Sequence, residues 1–496
     1  MIDHVALAPA YAAAGTALLA FLADLIVGRR GVVLALAVLG AAGTVAAALL
    51  VPGPRRSFCG TAGCSYVWDD FATVVGVTVA AATLVALLLC LPTISAGDAP
   101  AGELCFLLGC AMTGGVVLGA SRDLITLVVA VETLTLPLYA AVALRRRELA
   151  SAQAAVTFFT VSVVSTAVTL LGAALLYAVT GTVHLTRLAG ALGGVVPGFA
   201  ALAAAGIALV LVGLGFKVAA VPLHAWAPTT YDGAPLPVAA FLSTASKAGG
   251  VAAILLVVVL GLGSQLAVAG PLLAALAVAT MTVGNLVALR QRRMVRLLAW
   301  SSVAQAGYIL APLGVFALAD QRDAGAARTV VAAVLAYAVL FVLLELGAFA
   351  AVVALRGAAD GGDLADFRGA ARRRPWVAAA FVLAMAGLAG LPPGLAGLFA
   401  KVTVVRALLE GASGWLALIV ALNAVVGAAY YVRASVALFR PPDPALDPRP
   451  DAGPGDGWPR LAWPVALAVA LTTVAAVVVG FAPQLVLSAV DLLMAS

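Results

Sequence analysis

The chain has 496 residues, 64% of them hydrophobic and 10% charged, with a formal net charge of +6. A soluble domain is nearer half apolar and a quarter charged, so this composition excludes a water-soluble globule and places the chain in a bilayer. Three histidines and five cysteines, with no CxxC pair, provide no ligand set for an iron–sulfur cluster and none evident for haem or zinc.

Spanning helices need roughly 20 apolar residues each. The sequence divides into about fourteen such stretches, predicted over 5–27, 31–51, 70–92, 102–120, 123–144, 152–180, 198–221, 236–261, 268–289, 295–316, 328–355, 376–408, 414–438 and 461–490. Numbered in chain order, these are spans 1 to 14. The alternating short strands of a membrane β-barrel are absent, so the predicted fold is an all-α integral membrane protein. Asp3 and His4 stand where a signal peptide has its basic start, so span 1 reads as a retained helix. The loop after span 2 holds Cys59 and Cys64 in FCGTAGC, where an oxidising compartment would permit a disulfide. Cys90, Cys105 and Cys110 fall in apolar spans and read as packing residues. The 50 glycines follow no strand and read as close helix packing. Only 441–460 is long, polar and proline-rich, which makes it a linker before span 14.

Arginine placement predicts the orientation. Of the 25 arginines, 18 lie in the loops joining spans 1–2, 5–6, 9–10, 11–12 and 13–14. The other face has Arg55, Arg56, Arg122, Arg187, Arg322 and Arg328. By the positive-inside rule the richer face is cytoplasmic and both termini are outside. Arginines dispersed over loops in this way exclude a nucleic-acid surface; the bilayer is the expected surrounding.

Against 25 arginines the chain has three lysines, Lys217, Lys247 and Lys401, all inside apolar spans. An ammonium is costly at membrane depth, and Arg cannot replace a lysine that must release its proton. Two acids share that depth. Glu132 lies in LITLVVAVETLTLPLYAAVAL, with no charge within eight residues. Glu345 lies in VLFVLLELGAFAAVVAL, either pairing with a lysine or carrying protons itself. His224 follows Lys217 at i+7, on the same face if the helix continues past Pro222. Ser243, Thr244 and Ser246 place hydroxyls beside Lys247. GLGFK at 213–217 and GLFAK at 397–401 each pair Gly, Phe and Lys near proline, which predicts interrupted helices in spans 7 and 12. A carboxylate beside a lysine holds its proton, and withdrawing the carboxylate ejects it. Such groups titrate together.

The segment 217–237, KVAAVPLHAWAPTTYDGAPLP, with SKAGG at 246–250, resembles the antiporter-like proton-translocating subunits of respiratory complex I. GNLVALRQRRMVRLLAWSSVAQAGYIL at 284–310, VETLTLPLYAAVAL at 131–144 and GLPPGLAGLFAKVTVVRA at 390–407 extend the resemblance over roughly residues 100–440. It implies two inverted five-helix repeats, spans 4–8 (101–261) and 9–13 (262–440), after three N-terminal helices (1–100) and before a last helix (461–496). It implies a proton path through Glu132, Lys217, His224, Lys247 and Lys401, with uptake from the cytoplasm and release near Lys401. The chain itself would carry no redox cofactor. NADH, FMN, iron–sulfur clusters and quinone would belong to partner subunits of an NADH:quinone oxidoreductase in the bacterial plasma membrane, and the nearest partners would be another antiporter-like subunit and small membrane subunits.

The sequence departs from the family twice. Thr157 stands where a lysine near the start of span 6 is frequent, and Gln305 where histidine is frequent; Glu345 replaces an expected neutral residue and is a candidate to compensate. A sodium/proton antiporter subunit of the same superfamily shares most of these residues. A structural subunit without transport and a free-standing solute transporter are the remaining readings.

Overall fold

The computed structural model describes residues 2–61, 63–145, 148–318, 324–441 and 461–487. Arg146, Arg147, Arg322, Arg449, Arg460 and the linker from 442 to 460 lie outside the described residues. Among those described, thirteen helices are long and apolar enough to cross a membrane.

Helices α1 (Ala8–Val27) and α2 (Arg30–Leu50) lead into a hairpin of β1 (Arg55–Gly60) and β2 (Gly63–Trp68). This short hairpin stands in the loop of an otherwise all-α fold; it pairs Cys59 opposite Cys64, and the two form a disulfide. Then follow α3 (Asp70–Leu88), α4 (Cys90–Ala96), α5 (Ala101–Gly119), α6 (Leu124–Val142), α7 (Leu149–Thr180) and the short α8 (Leu185–Gly193). Span 7 is α9 (Ala200–Gly215) and α10 (Trp226–Gly233); span 8 is α11 (Leu236–Ser243) and α12 (Ala245–Leu256). Next come α13 (Leu266–Ala288), α14 (Met294–Leu310), α15 (Ala324–Arg356) and the short α16 (Ala370–Arg373). Span 12 is α17 (Pro375–Ala389) and α18 (Leu395–Glu410), before α19 (Gly414–Ala437) and α20 (Trp463–Phe481). Spans 8, 10 and 11 form the buried centre, whereas α1, α2 and α7 lie mostly at the periphery. Leu25 on α1, Leu50 on α2, Val425 on α19 and Phe481 on α20 point outward, as lipid-facing side chains do.

Spans 7, 8 and 12 are interrupted, each for a local reason. In span 7 the helix ends at Gly215, a single tighter turn over Phe216–Val218 carries Lys217, Ala219 takes a left-handed φ of 57°, and Pro222 follows. The freed carbonyl of Phe216 accepts from the Trp226 indole at 3.2 Å. In span 12 Gly390, at φ 77°, ends α17, and the sequence LPPG separates it from α18. The two halves touch so closely there that a Cβ on Gly397 would run into the Gly387 carbonyl. Neither half of span 12 is long enough alone to cross a bilayer. The break in span 8, at Thr244, was not expected. The hydroxyls of Ser243 and Thr244 both donate to the Ala240 carbonyl, at 3.0 and 2.6 Å, competing with the backbone for that acceptor.

The loops sort onto two faces. On one, Arg293 pairs with Asp232 and Asp360, both at 2.9 Å, and Arg145 donates to the Ala358 carbonyl at 2.9 Å. Arg433 reaches the Gln291 carbonyl at 2.8 Å. These contacts join loops 5–6, 9–10 and 11–12 to α10 and to the end of span 13. On the other, Arg55 pairs with Asp3 at 3.0 Å, Arg122 with Asp69, and Gln265 with the Leu192 carbonyl at 2.9 Å. Asp69 and Asp123 cap the first turns of α3 and α6 on that face.

Candidate functional site

Every lysine of the chain is buried, and each is held differently. Lys217 stands at the end of the first half of span 7, where the chain leaves the helix. Its ammonium donates to Thr135 Oγ1 at 2.6 Å and to Ser162 Oγ at 3.4 Å. Glu132 Oε1 is 3.7 Å away and accepts from Thr166 at 2.6 Å. One turn separates Glu132 from Thr135 on α6, so the carboxylate and the hydroxyl present themselves to Lys217 together. Tyr139 donates to Ser162 at 2.5 Å and extends this cluster along α6 and α7. A narrow cleft lined by Glu132, Ser165, Thr166, Thr169 and Lys217 has room for about one water molecule. Glu132 and Lys217 therefore form an ion pair stretched beyond hydrogen-bond length, with hydroxyls ready to take either partner.

Lys247 is the most deeply placed. Its ammonium donates to the Ser302 carbonyl at 2.5 Å and lies 5.9 Å from the Phe341 ring. Gly250, one turn along α12, packs on Lys217: a Cβ there would come within 2.8 Å of the Lys217 Cβ. Helix α12 thus bridges the first lysine and the second.

Lys401 sits on α18 with its ammonium at the C-terminus of α17. It donates to the carbonyls of Leu388 and Ala389 at 3.0 and 2.6 Å and lies 5.1 Å from the Tyr308 ring. The negative end of a half-helix thus stabilises this charge in place of a carboxylate. Gln305 donates to the same Leu388 carbonyl at 2.9 Å and to Tyr431 at 2.8 Å, and accepts from Tyr337 at 2.6 Å. Tyr431 is bonded in turn to Ser301 at 2.5 Å. A polar line therefore runs from the α14 turn that holds Lys247, through Ser301, Tyr431 and Gln305, to Lys401.

Glu345 is fully buried on α15, and neither of its oxygens has a hydrogen-bond partner among the described residues. His224 stands apart: its Nδ1 is 3.2 Å from the Pro222 carbonyl, its ring meets Trp300 edge-on at 5.4 Å, and no hydrogen bond joins it to a lysine. Thr157 bonds back to the Gln153 carbonyl at 2.9 Å and takes no part in the line. Thr135, Ser162, Thr166, Tyr337 and Tyr431 were not picked out from the sequence. Their signal was present as hydroxyls inside apolar spans, some one turn from a charged residue. No group of three or more metal-ligating side chains occurs among the described residues.

Comparison with known proteins bears on this arrangement. A family model described as NADH:quinone oxidoreductase/Mrp antiporter, TM, matches residues 121–427. NADH-quinone oxidoreductase subunit N of Salinispora tropica is 61% identical, over 98% of this chain and 98% of its own length. Among solved structures, respiratory complex I from Thermus thermophilus with bound aureothin contains a chain 29% identical, with a TM-score of 0.77, covering 97% of this chain and 99% of that one. A chain of the Mrp complex from Dietzia sp. DQ12-45-1b shares the fold at 22% identity, with a TM-score of 0.83 over 99% of this chain and 97% of that one.

Proposed function

Because this chain belongs to the antiporter-like membrane-subunit family, as a subunit N of NADH-quinone oxidoreductase, we propose that it carries protons across the membrane along the buried line Glu132, Lys217, Lys247, Lys401. The observation that carries this reading is the placing of every lysine in the chain on one interior path. The three are joined by hydroxyls, a packed helix and free backbone carbonyls. Each step has a neutral or dipolar acceptor, so a proton on one lysine is held without being trapped. Glu132 is the one carboxylate within ion-pair reach of a lysine among the described residues, which makes the Glu132–Lys217 contact the switch. Shortening it favours the charged lysine and lengthening it releases the proton toward Lys247. His224, half-buried beside Trp300, serves this path through water rather than by direct contact.

Spans 4–8 and 9–13 form the two repeats. Each carries its Gly/Pro break and its lysine in its fourth span, and a repeat of five spans necessarily inverts the next. The arginine-rich face is cytoplasmic, which puts both termini and the Cys59–Cys64 hairpin outside, where a disulfide persists. The chain acts as a non-redox subunit among other membrane-arm subunits of a respiratory complex in the bacterial plasma membrane. NADH, FMN, iron–sulfur clusters and quinone belong to its partners, and quinone reduction there drives the switch. A sodium/proton antiporter subunit fits less well, since the likeness to the Mrp chain extends to the fold alone.

The test is proton uptake by the assembled complex in sealed vesicles during NADH oxidation. Lys217→Met and Lys247→Met are each expected to abolish transport by this subunit, and wild-type pumping in both would overturn the reading.

A further inference from the structure

Between Lys247 and Lys401 the polar line passes through Gln305, whose amide does not titrate. Its amide nitrogen and its oxygen are both bonded already, to Leu388, Tyr431 and Tyr337. Beside this stretch, on α15, is Glu345. It is fully buried in the middle of the protein, and both carboxyl oxygens are without a partner among the described residues. An anion left so is costly in an apolar interior, and an ion pair would be the usual remedy. Yet Lys247, within electrostatic reach of Glu345, has its ammonium on the Ser302 carbonyl instead, and no ion pair joins the two residues. Two more buried polar atoms complete the surroundings. Ser302 Oγ and Tyr231 OH lie near one another without closing a hydrogen bond, and neither has a partner among the described residues. Tyr231 and Tyr431 both lie within electrostatic reach of the Glu345 carboxyl. Ser302, Tyr231 and Glu345 thus come from α14, α10 and α15, and offer four unsatisfied polar atoms around Lys247. Unsatisfied buried polar atoms of this kind are the partners that a bridging water needs.

We propose that Glu345 is a proton carrier between Lys247 and the Gln305–Tyr431 cluster that leads to Lys401, with Ser302 and Tyr231 holding the water that connects it to Lys247. The step is a simple exchange. Lys247 ammonium and Glu345 carboxylate become Lys247 amine and Glu345 carboxylic acid; the proton leaves Nζ and joins a carboxyl oxygen. Net charge is unchanged and no co-reactant is needed. The neutral acid removes the unpaired anion, and its proton then passes to the Lys401 amine along the Tyr431 side. The missing ion pair matters here, because a tight Lys247–Glu345 bridge would hold the proton between them.

This inference rests on the lysine path proposed above, and the experiment separates the two. Glu345→Gln, Glu345→Asp and Lys247→Met are compared in the assembled complex in sealed vesicles, by proton uptake and by infrared difference spectra in H2O and D2O. Glu345→Gln is expected to slow proton delivery by about tenfold or more. Glu345→Asp is expected to restore most of it. A deuterium-sensitive band of a protonated carboxyl is expected in the wild type and absent from Glu345→Gln. Wild-type uptake in Glu345→Gln alongside failure of Lys247→Met would overturn the role of Glu345 and leave the path standing. Wild-type uptake in both would overturn the path. Should Glu345→Gln fail to assemble, the band decides: it must move in Glu345→Asp, and an unmoved band refutes the proposal.

Discussion

Lys401 donates to the carbonyl of Leu388 at 3.0 Å, and so closes the open end of a half-helix rather than an ion pair. The break in span 12 and the charge of Lys401 therefore stabilise each other: the break frees carbonyls, and the ammonium satisfies them. Lys401→Met is expected to lose proton transport and to cost about 2–4 kcal/mol, since two buried carbonyls lose a charged donor. Lys401→Arg can refill those bonds but cannot release a proton, so stability should partly recover while transport does not. Thermal unfolding of the complex and proton uptake, measured on the same preparations, separate the two effects.

Gln305 supplies a second check on that end of the path. It makes three hydrogen bonds, to Leu388, Tyr431 and Tyr337. Gln305→Leu is expected to destabilise by about 2–4 kcal/mol, because the Tyr431 and Tyr337 hydroxyls are left buried with fewer partners. Gln305→Glu keeps the shape and adds a titratable group, and should retain transport with a changed pH profile. A denaturation curve and a pH series of proton uptake read these outcomes.

The sequence exposed this site unevenly. Lysine, proline and paired glycine are costly inside apolar helices, so Lys217, Lys247, Lys401 and the breaks in spans 7 and 12 stood out. The hydroxyl residues did not. A membrane-buried Thr or Ser ordinarily bonds back to its own helix, as Thr157 does to Gln153, and only tertiary packing reveals that Thr166 instead faces Glu132. The i+7 spacing puts His224 on the Lys217 face only where the helix continues past Pro222. That helix is not continuous, because Ala219 turns left-handed before the heptad closes. The Thr244 break was hidden because it arises from two hydroxyls sharing one carbonyl, with neither proline nor glycine at the kink.

At the other end, Thr166 gives the Glu132 switch its rest position. Thr166→Val removes the hydroxyl donated to Glu132 at 2.6 Å. The freed carboxylate should close on Lys217 and hold its proton longer, slowing proton transport while leaving the complex intact. Glu132→Gln should also impair transport, from the opposite side, because Lys217 loses the charge that keeps its proton. Impairment in Glu132→Gln without any effect in Thr166→Val would show that the hydroxyl does not set the pair distance.

Acid stability should depend on the loop between spans 11 and 12. Burial alone would raise the Asp360 carboxyl, but hydrogen bonds and charge from Arg293 and Arg356 outweigh it and hold it below the usual carboxylate range. A carboxyl lowered on folding contributes stability that is fully present above its unfolded value of about 3.9 and is lost as pH falls through the lower folded value. Asp360→Asn should therefore lower the melting temperature at neutral pH, with the difference from wild type shrinking as pH falls below about 4 and vanishing only below the lower folded value. Equal melting temperatures at neutral pH would show that the clasp adds nothing.

The orientation can be read from the hairpin. Cys59 and Cys64 pair on the face that also holds the Arg55–Asp3 and Arg122–Asp69 contacts, while the arginine-rich loops meet on the other. If the arginine-rich face is cytoplasmic, the disulfide is reachable from outside the cell. Of the free cysteines, Cys90 and Cys105 are buried and Cys110 is half-buried within the apolar helix α5, away from the aqueous label, so they contribute little background. A membrane-impermeant reductant followed by an impermeant thiol label should then mark the protein in intact cells, and the marking should disappear in a Cys59→Ser, Cys64→Ser double variant. Labelling that requires inverted vesicles would reverse the assigned topology, and with it the direction in which Lys401 releases its proton.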